Sequence, residues 1–311
     1  MAVPPHLTSR LAHGRRLTGD EVASLAATHD IISLGMKADE ARRRRHGTRT
    51  TFLRVADVAA VGGVPSWPVA AGEIRIVGAP SSRTAAVRRV REVSALANGT
   101  PVTGFSLADL ERLAAGEGLP LRALLEELRA AGLELVAEGP FDLLQDARRS
   151  VEEVNIGGLA LARLTIHLAS SPDVAPLFER VAELQRCVGV IRAFAPLPRT
   201  LNPAVPTTGF DDLKRVALAR LIVDNVPSIQ VDWSLYGPKL AQIALTVGAD
   251  DVDGVSSEGD TGEGRRRSPL AEIRRNIRAA GQEPVERNGR FETVGDGPAQ
   301  AGPPVPDVPG A

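Results

Sequence analysis

Apolar positions along this chain follow two rhythms. Short apolar runs of strand type occur at Thr51–Ala56, Glu73–Val77, Pro101–Phe105, Leu133–Val136, Leu159–Leu168, Val190–Ala195, Ile229–Trp233 and, weakly, Asp251–Asp253. Segments with helical spacing separate most of them: Arg83–Ala97, Leu107–Ala115 with Leu121–Ala131, Phe141–Val154, Val174–Arg186, Phe210–Asp224 and Lys239–Val247. Strands that alternate with helices build a parallel sheet, and eight of them suggest a closed α/β barrel of the TIM type. One crossover breaks the rule. Asp57–Gly72, between the first two strands, contains Gly62-Gly63, Pro65 and Pro68, which oppose a helix. The first strand–helix unit is therefore reduced, and the barrel is expected to be incomplete or deformed there.

Outside the alternating region the signals are local. Thr18-Gly19-Asp20-Glu21 has the form of a capping box, and a second helix is expected from about Asp30 to Arg45. The expected organisation is a flexible arm over 1–16, N-terminal helices over 17–47, a barrel with its C-terminal additions over 48–294, and a disordered Pro/Gly tail over 295–311. Within it, 254–268 reads as a mobile loop rich in Gly, Ser and arginine. Leu270–Ala280 reads as a helix, and Asn288-Gly289 as the turn of a hairpin between Glu283–Arg287 and Arg290–Val294.

Composition narrows the chemistry. Hydrophobic residues make up 43% of the chain and aromatics only 3%, so Leu, Val, Ile and Ala must form the core. A formal net charge of −1 argues against a general nucleic-acid binder. No apolar run reaches the roughly 18 residues of a membrane span, and Met1–Thr18 has no apolar signal core, so a cytoplasmic protein is expected. Cys187 is the only cysteine, which excludes an internal disulfide and a multi-cysteine metal site within one chain. The five histidines show no metal-ligand spacing, and no metal ligand or catalytic residue is assigned. Asp224, Asp250, Asp251 and Asp253 are candidates for the barrel mouth, the alternative being that they cap helices and strand ends. Trp233 and Tyr236 flank a turn where they would stack on a flat ligand, the alternative being a core Trp and a rim Tyr. Gly78 permits close approach of backbone to a ligand.

Longer segments carry a family resemblance. Ala38-Asp39-Glu40-Ala41-Arg42 through His46-Gly47-Thr48-Arg49, Thr103-Gly104-Phe105 and Phe194-Ala195-Pro196-Leu197 belong to it. So do Gly237-Pro238-Lys239-Leu240-Ala241-Gln242, Gly248-Ala249-Asp250-Asp251-Val252-Asp253-Gly254 and Pro284-Val285-Glu286-Arg287. Together these resemble the radical SAM enzymes of menaquinone biosynthesis, aminofutalosine synthase most and dehypoxanthine futalosine cyclase more distantly. The resemblance implies a radical SAM-like barrel with N-terminal helices and a C-terminal helix plus hairpin. The candidate ligand-binding residues are Gly78, Asp224, Trp233, Gln242, Asp250 and Asp253.

That family carries C-x3-C-x2-C after its first strand, where three thiolates hold a [4Fe–4S] cluster that binds SAM. Asp57–Gly72 contains no cysteine, and one glycine, Gly78, stands where the family pairs two against SAM. The expectation is a chain without cofactors: no [4Fe–4S] cluster and no SAM. It would be a non-catalytic partner or regulator in futalosine-pathway menaquinone biosynthesis, acting on an intact radical SAM enzyme of that pathway. One alternative is a barrel that binds a nucleoside or benzoate-type ligand without radical chemistry. The other is an aminofutalosine synthase, as similarity alone would label it.

Overall fold

A computed structural model describes residues 17–294 apart from 64, 69, 169–172, 201–208 and 258–269. The expected arm and tail, and most of the expected mobile loop, lie outside the described residues. Gly254–Ser256, assigned to that loop from its composition, instead completes a strand.

The chain enters through α1 (Gly19–Ala26), whose capping box forms as its sequence predicts. The Thr18 N–H donates to Glu21 Oε2 at 2.7 Å, and the Thr18 hydroxyl accepts from the Glu21 N–H. Helix α2 (Ile31–His46) follows, capped by Asp30. Then come β1 (Arg49–Ala59), β2 (Glu73–Val77), α3 (Arg83–Leu96), β3 (Val102–Ser106), α4 (Leu107–Gly116), α5 (Leu121–Ala130) and β4 (Leu135–Pro140). The second half comprises α6 (Ala147–Ile156), β5 (Ala160–Leu161), β6 (Leu164–Ile166), α7 (Ala175–Val188), β7 (Ala193–Pro198), α8 (Gly209–Ile222), β8 (Ser228–Asp232), α9 (Trp233–Leu245) and β9 (Asp251–Ser256). Helix α10 (Leu270–Ala279) and β10 (Glu283–Arg287) are the last elements of the described residues.

The strands pair in parallel in the order β1-β2-β3-β4-β6-β7-β8-β9, and β9 returns to β1. The barrel is closed and eight-stranded, with helices around it. This corrects the expectation of an incomplete barrel, and the length of β1 explains why. Its second half, Val55–Ala59, pairs with β2, while its other edge pairs with β9 from Thr51 onward. No crossover helix is needed to hold that register.

Among the described residues of the β1–β2 link there is indeed no helix, and a buried arginine takes over its function. Arg89 of α3, 3% exposed, donates from Nε to the Ala59 carbonyl at 2.8 Å. Its terminal nitrogens reach the Gly62 and Gly63 carbonyls, both at 3.1 Å. One planar fork thus satisfies three carbonyls that a helix would have bonded internally.

The expected hairpin forms only in part. Asn288-Gly289 does turn the chain, but the return segment makes a single antiparallel bridge, Arg287 to Thr293, rather than a strand. β10 pairs with β1 instead, in parallel, along Arg49–Leu53. Helix α9 is interrupted at Gly237, whose φ of 77° ends one helical segment before Pro238 begins the next.

The core lies between the barrel wall and its helices. It is aliphatic, as the composition requires, with Phe52, Phe178, Phe194 and Trp233 as its largest apolar side chains. Phe178 and Phe194 meet edge to face at 5.5 Å. No helix of the described residues is long and apolar enough to cross a membrane.

Candidate functional site

Parallel barrels present their ligand contacts at the C-terminal ends of the strands. Here that end holds a cavity of about 620 Å3. Ala56 and Asp57 of β1, Arg75 and the Gly78 backbone from β2, and Phe105 and Ser106 of β3 line one side. Glu138, Arg163, Arg199, Asp232 and Ser256 line the other. Phe105 is buried with φ of 62°, a conformation that a bulky residue rarely adopts and that marks ligand sites more often than plain core.

The barrel axis beneath the cavity is filled by ion pairs rather than by the aliphatic layers usual in this architecture. Arg75 grips Asp253 with two hydrogen bonds of 3.2 and 2.9 Å and reaches Glu73 at 2.6 Å. Arg163 Nη1 lies 3.0 Å from the same Asp253. Burial opposes charge on both arginines and on Asp253. Asp253 and Glu73 outweigh that effect at Arg75, holding its guanidinium above the ordinary range. Arg163 and Arg75 likewise hold the Asp253 carboxyl well below its usual range. Arg163 itself stays below the ordinary guanidinium range, because burial and its neighbour Arg75 exceed the compensation it receives.

A second cluster forms the rim. Arg199 bridges Asp232 at 3.1 Å and Glu138 at 3.2 Å, and His167 Nε2 lies 3.1 Å from Glu138 Oε1. Burial would raise the Glu138 pKa. The His167 hydrogen bond and the Arg199 and Arg163 charges outweigh it and bring the value to about 2.

Five buried side-chain polar atoms among the described residues lack a hydrogen-bond partner. They are Glu138 Oε2, Arg163 Nε, Thr165 Oγ1, Ser257 Oγ and Asn225 Oδ1. Of these residues Glu138 and Arg163 line the cavity. Native interiors tolerate few such atoms, each at a cost of about 1–3 kcal/mol.

Of the residues singled out by sequence, Gly78 and Asp253 reach this site. Gly78 ends β2 with φ of 96° and lines the cavity, and Asp253 anchors the axis. Asp224 and Asp250, expected at the barrel mouth, do not, because they precede β8 and β9 and fall at the opposite end of the barrel. The Asp224 carbonyl there accepts from Arg45, and buried Asp250 pairs with Arg220 and His46. Asp251 pairs with Arg287 at that end of the axis. The Trp233 side chain is wholly buried in the core, so it offers no stacking face. Tyr236 donates to the Pro198 carbonyl from the rim. Gln242 sits on the outer helix α9, away from the cavity-lining residues. Sequence reasoning missed Arg75, Arg163, Arg199, Glu138 and Asp232.

Comparison with known proteins separates fold from family. The chain superposes on the methylornithine synthase crystal structure with a TM-score of 0.67, covering 90% of this chain and 97% of that one at 13% identity. A maturase of the [FeFe]-hydrogenase gives 0.63 over 90% of this chain and 75% of that one, at 11% identity. These similarities show the barrel alone. Residues 197–299 match the CofH/MqnC C-terminal region. Aminodeoxyfutalosine synthase of Thermus thermophilus is 26% identical over 93% of this chain and 95% of its own length. Cyclic dehypoxanthine futalosine synthase of Streptomyces coelicolor is 30% identical over 56% of this chain and 49% of its own. The sequence of this chain is similar to the radical SAM enzymes of menaquinone biosynthesis.

These similarities correct the expectation of a chain without cofactors. Enzymes of this radical SAM family use a [4Fe–4S] cluster and SAM, and the lack of a metal-ligand group among the described residues is no evidence against either. The donor set of the mouth is nevertheless guanidinium and carboxylate. Cys187 lies exposed on α7, and no cysteine lines the cavity. The residues present do not fit a cluster held by three thiolates of this chain. Gly78, at the end of β2, keeps the place where the resemblance puts a SAM contact.

The charged groups make stability depend on pH in two windows. Burial lowers the His46 pKa from 6.5, so the unfolded chain binds that proton more tightly, and stability falls as pH drops below 6.5. Glu138 is depressed from 4.5 to about 2, so its contribution is present above 4.5 and lost as pH falls toward 2. That second loss is on the order of 3 kcal/mol. Urea midpoints followed from neutrality to pH about 3 should decline in both windows. Glu138→Gln should flatten the lower one. An unchanged acid limb in that variant would contradict the assignment.

Proposed function

We propose that this chain acts in futalosine-type menaquinone biosynthesis by holding a small pathway molecule, of nucleoside or benzoate type, in the barrel mouth. The observation that carries this reading is the pair of buried polar atoms without a hydrogen-bond partner, Glu138 Oε2 and Arg163 Nε, on residues that line a cavity of about 620 Å3. A cavity of that size matches a ligand of drug-like dimensions.

A thermal-shift panel with SAM, methionine, deoxyadenosine, aminofutalosine and the enolpyruvyl benzoate tests it. A ligand at 100 times its Kd stabilises by roughly 2.7 kcal/mol, which appears as a rise of about 5 °C in Tm. No shift with any compound removes the ligand reading.

The second reading, a partner or regulator of an intact aminofutalosine synthase-like enzyme, is favoured by a different feature. Ile32 and Met36 stand one turn apart on α2 and are 74% and 67% exposed, an apolar surface pair on an otherwise charged helix. Co-purification with such a synthase, abolished by Ile32→Glu with Met36→Glu, would support it.

A further inference from the structure

Asparagine precedes glycine at two places in this chain, Asn98-Gly99 and Asn288-Gly289. The pair has a chemistry of its own, because glycine carries no Cβ to shield its amide nitrogen. That nitrogen attacks Cγ of the asparagine, a C–N bond forms and ammonia leaves. One water then opens the cyclic imide at either carbonyl, giving aspartate or isoaspartate. The attack needs an asparagine side chain free to turn and a glycine N–H without an acceptor.

The two turns meet these demands in opposite ways. Asn98-Gly99 joins α3 to β3 with φ of 48° and 85°, and the Thr100 N–H donates back to the Ala97 carbonyl at 2.9 Å. Two left-handed residues in succession are the signature of a tight primed turn. Asn98 is exposed, and among the described residues neither its side chain nor the Gly99 N–H makes a hydrogen bond. Asn288 is held on every side. Its Oδ1 accepts from the Arg290 N–H at 2.9 Å and the Glu292 N–H at 3.1 Å, and its Nδ2 donates to Glu292 Oε2 at 2.8 Å. The Gly289 N–H is spent on the Gly72 carbonyl at 3.0 Å. Gly289 itself is packed so closely that a Cβ there would lie 3.2 Å from Glu73 Cγ and Pro101 Cβ.

We propose that Asn98 is a site of spontaneous deamidation in the folded protein, and that the fold shields Asn288 from the same reaction. The change reaches beyond the turn. The Gly99 carbonyl accepts from Arg290 Nη2 at 3.3 Å, and the same guanidinium holds Glu134 at 2.6 and 2.9 Å. Isoaspartate adds one methylene to the backbone directly before Gly99, together with a negative charge. Both displace the Gly99 carbonyl from Arg290, which ties the α3–β3 turn to the segment after β10 at the base of the barrel.

Incubation of the full chain in mildly alkaline buffer, followed by peptide mapping with mass spectrometry, reads both sites in one sample. The expected result is conversion of residue 98 about tenfold or more faster than residue 288, because the shielded site reacts only in its open fraction. Isoaspartate and aspartate should both appear at position 98. Urea sufficient to unfold the chain should bring the two rates together. Glu292→Ala removes the acceptor of Asn288 Nδ2 and should speed conversion at 288 while leaving 98 unchanged. The ratio in the unaltered protein decides even where that variant fails to fold. Equal rates in the folded chain, or faster conversion at 288, overturn the proposal. An amide at 98 that survives in the folded chain but converts in urea also overturns it, since the turn itself would then hold the side chain out of reach.

Discussion

Replacing Asp253 with alanine is expected to destabilise the protein by about 3–5 kcal/mol, the cost of leaving buried charge uncompensated. Asp253 is fully buried and lies between two guanidiniums, bonded to Arg75 at 2.9 and 3.2 Å and 3.0 Å from Arg163. Its removal leaves Arg75 with Glu73 alone and Arg163 with no close carboxylate at its Nη1. The loss should appear as a lower urea midpoint. Arg163→Met in the same chain should then recover part of it, because the cation left unpaired is gone. A double-mutant cycle isolates that coupling. Were Asp253→Ala to cost under about 1 kcal/mol, the axis would be wet enough to screen these charges, and the description of a buried network would be wrong.

The same residues explain what was legible in the sequence. The strands announced themselves through apolar runs, and the closest stretch of the resemblance, Phe194–Gly254, spans β7 to β9 of the barrel wall. Closure was harder to see, because it depends on β1 running eleven residues and serving β10 and β2 in succession along one edge. A pattern of apolar positions does not report such sharing. The site was misread through position along the strand. Asp250 immediately precedes β9 and so falls at the N-terminal end, whereas Asp253, three residues on, reaches the axis. The arginines did leave a signal. Arg75 interrupts Glu-Ile-Arg-Ile-Val and Arg163 interrupts Ala-Leu-Ala-Arg-Leu-Thr-Ile. A charge inside an apolar strand of a parallel barrel has to be paired, so each of these pointed to a carboxylate elsewhere in the axis. Which carboxylate it was depends on strand order and stagger, which only the folded barrel supplies.

Arg287→Ala is expected to cost a similar 3–5 kcal/mol for its broken ion pair, and about 0.5–2 kcal/mol more for a lost ring contact. Arg287 ends β10 and reaches into the N-terminal end of the barrel, where Nε and Nη2 bond the two oxygens of Asp251 at 2.6 and 2.7 Å. Its guanidinium lies 4.0 Å from the centre of the Phe291 ring. Asp251 is itself wholly buried and also accepts from Gln230 and Thr51, so without Arg287 its charge keeps two neutral donors and no close cation. Among the described strands β10 pairs with β1 alone, and the turn after it is held to the start of β2 by the Gly289 N–H on the Gly72 carbonyl at 3.0 Å. The arginine is thus the tie between a strand outside the eight-membered ring and the ring's axis. Arg287→Lys should restore the charge but not the paired bonds or the stacking, and so recover only part of the stability. Hydrogen exchange separates this from a global effect. In Arg287→Ala the β10 amides should lose protection before those of β3 and β4, because the opening that exposes them no longer breaks the ion pair. Equal protection of β10 in both proteins would mean that strand pairing alone holds the base of the barrel shut.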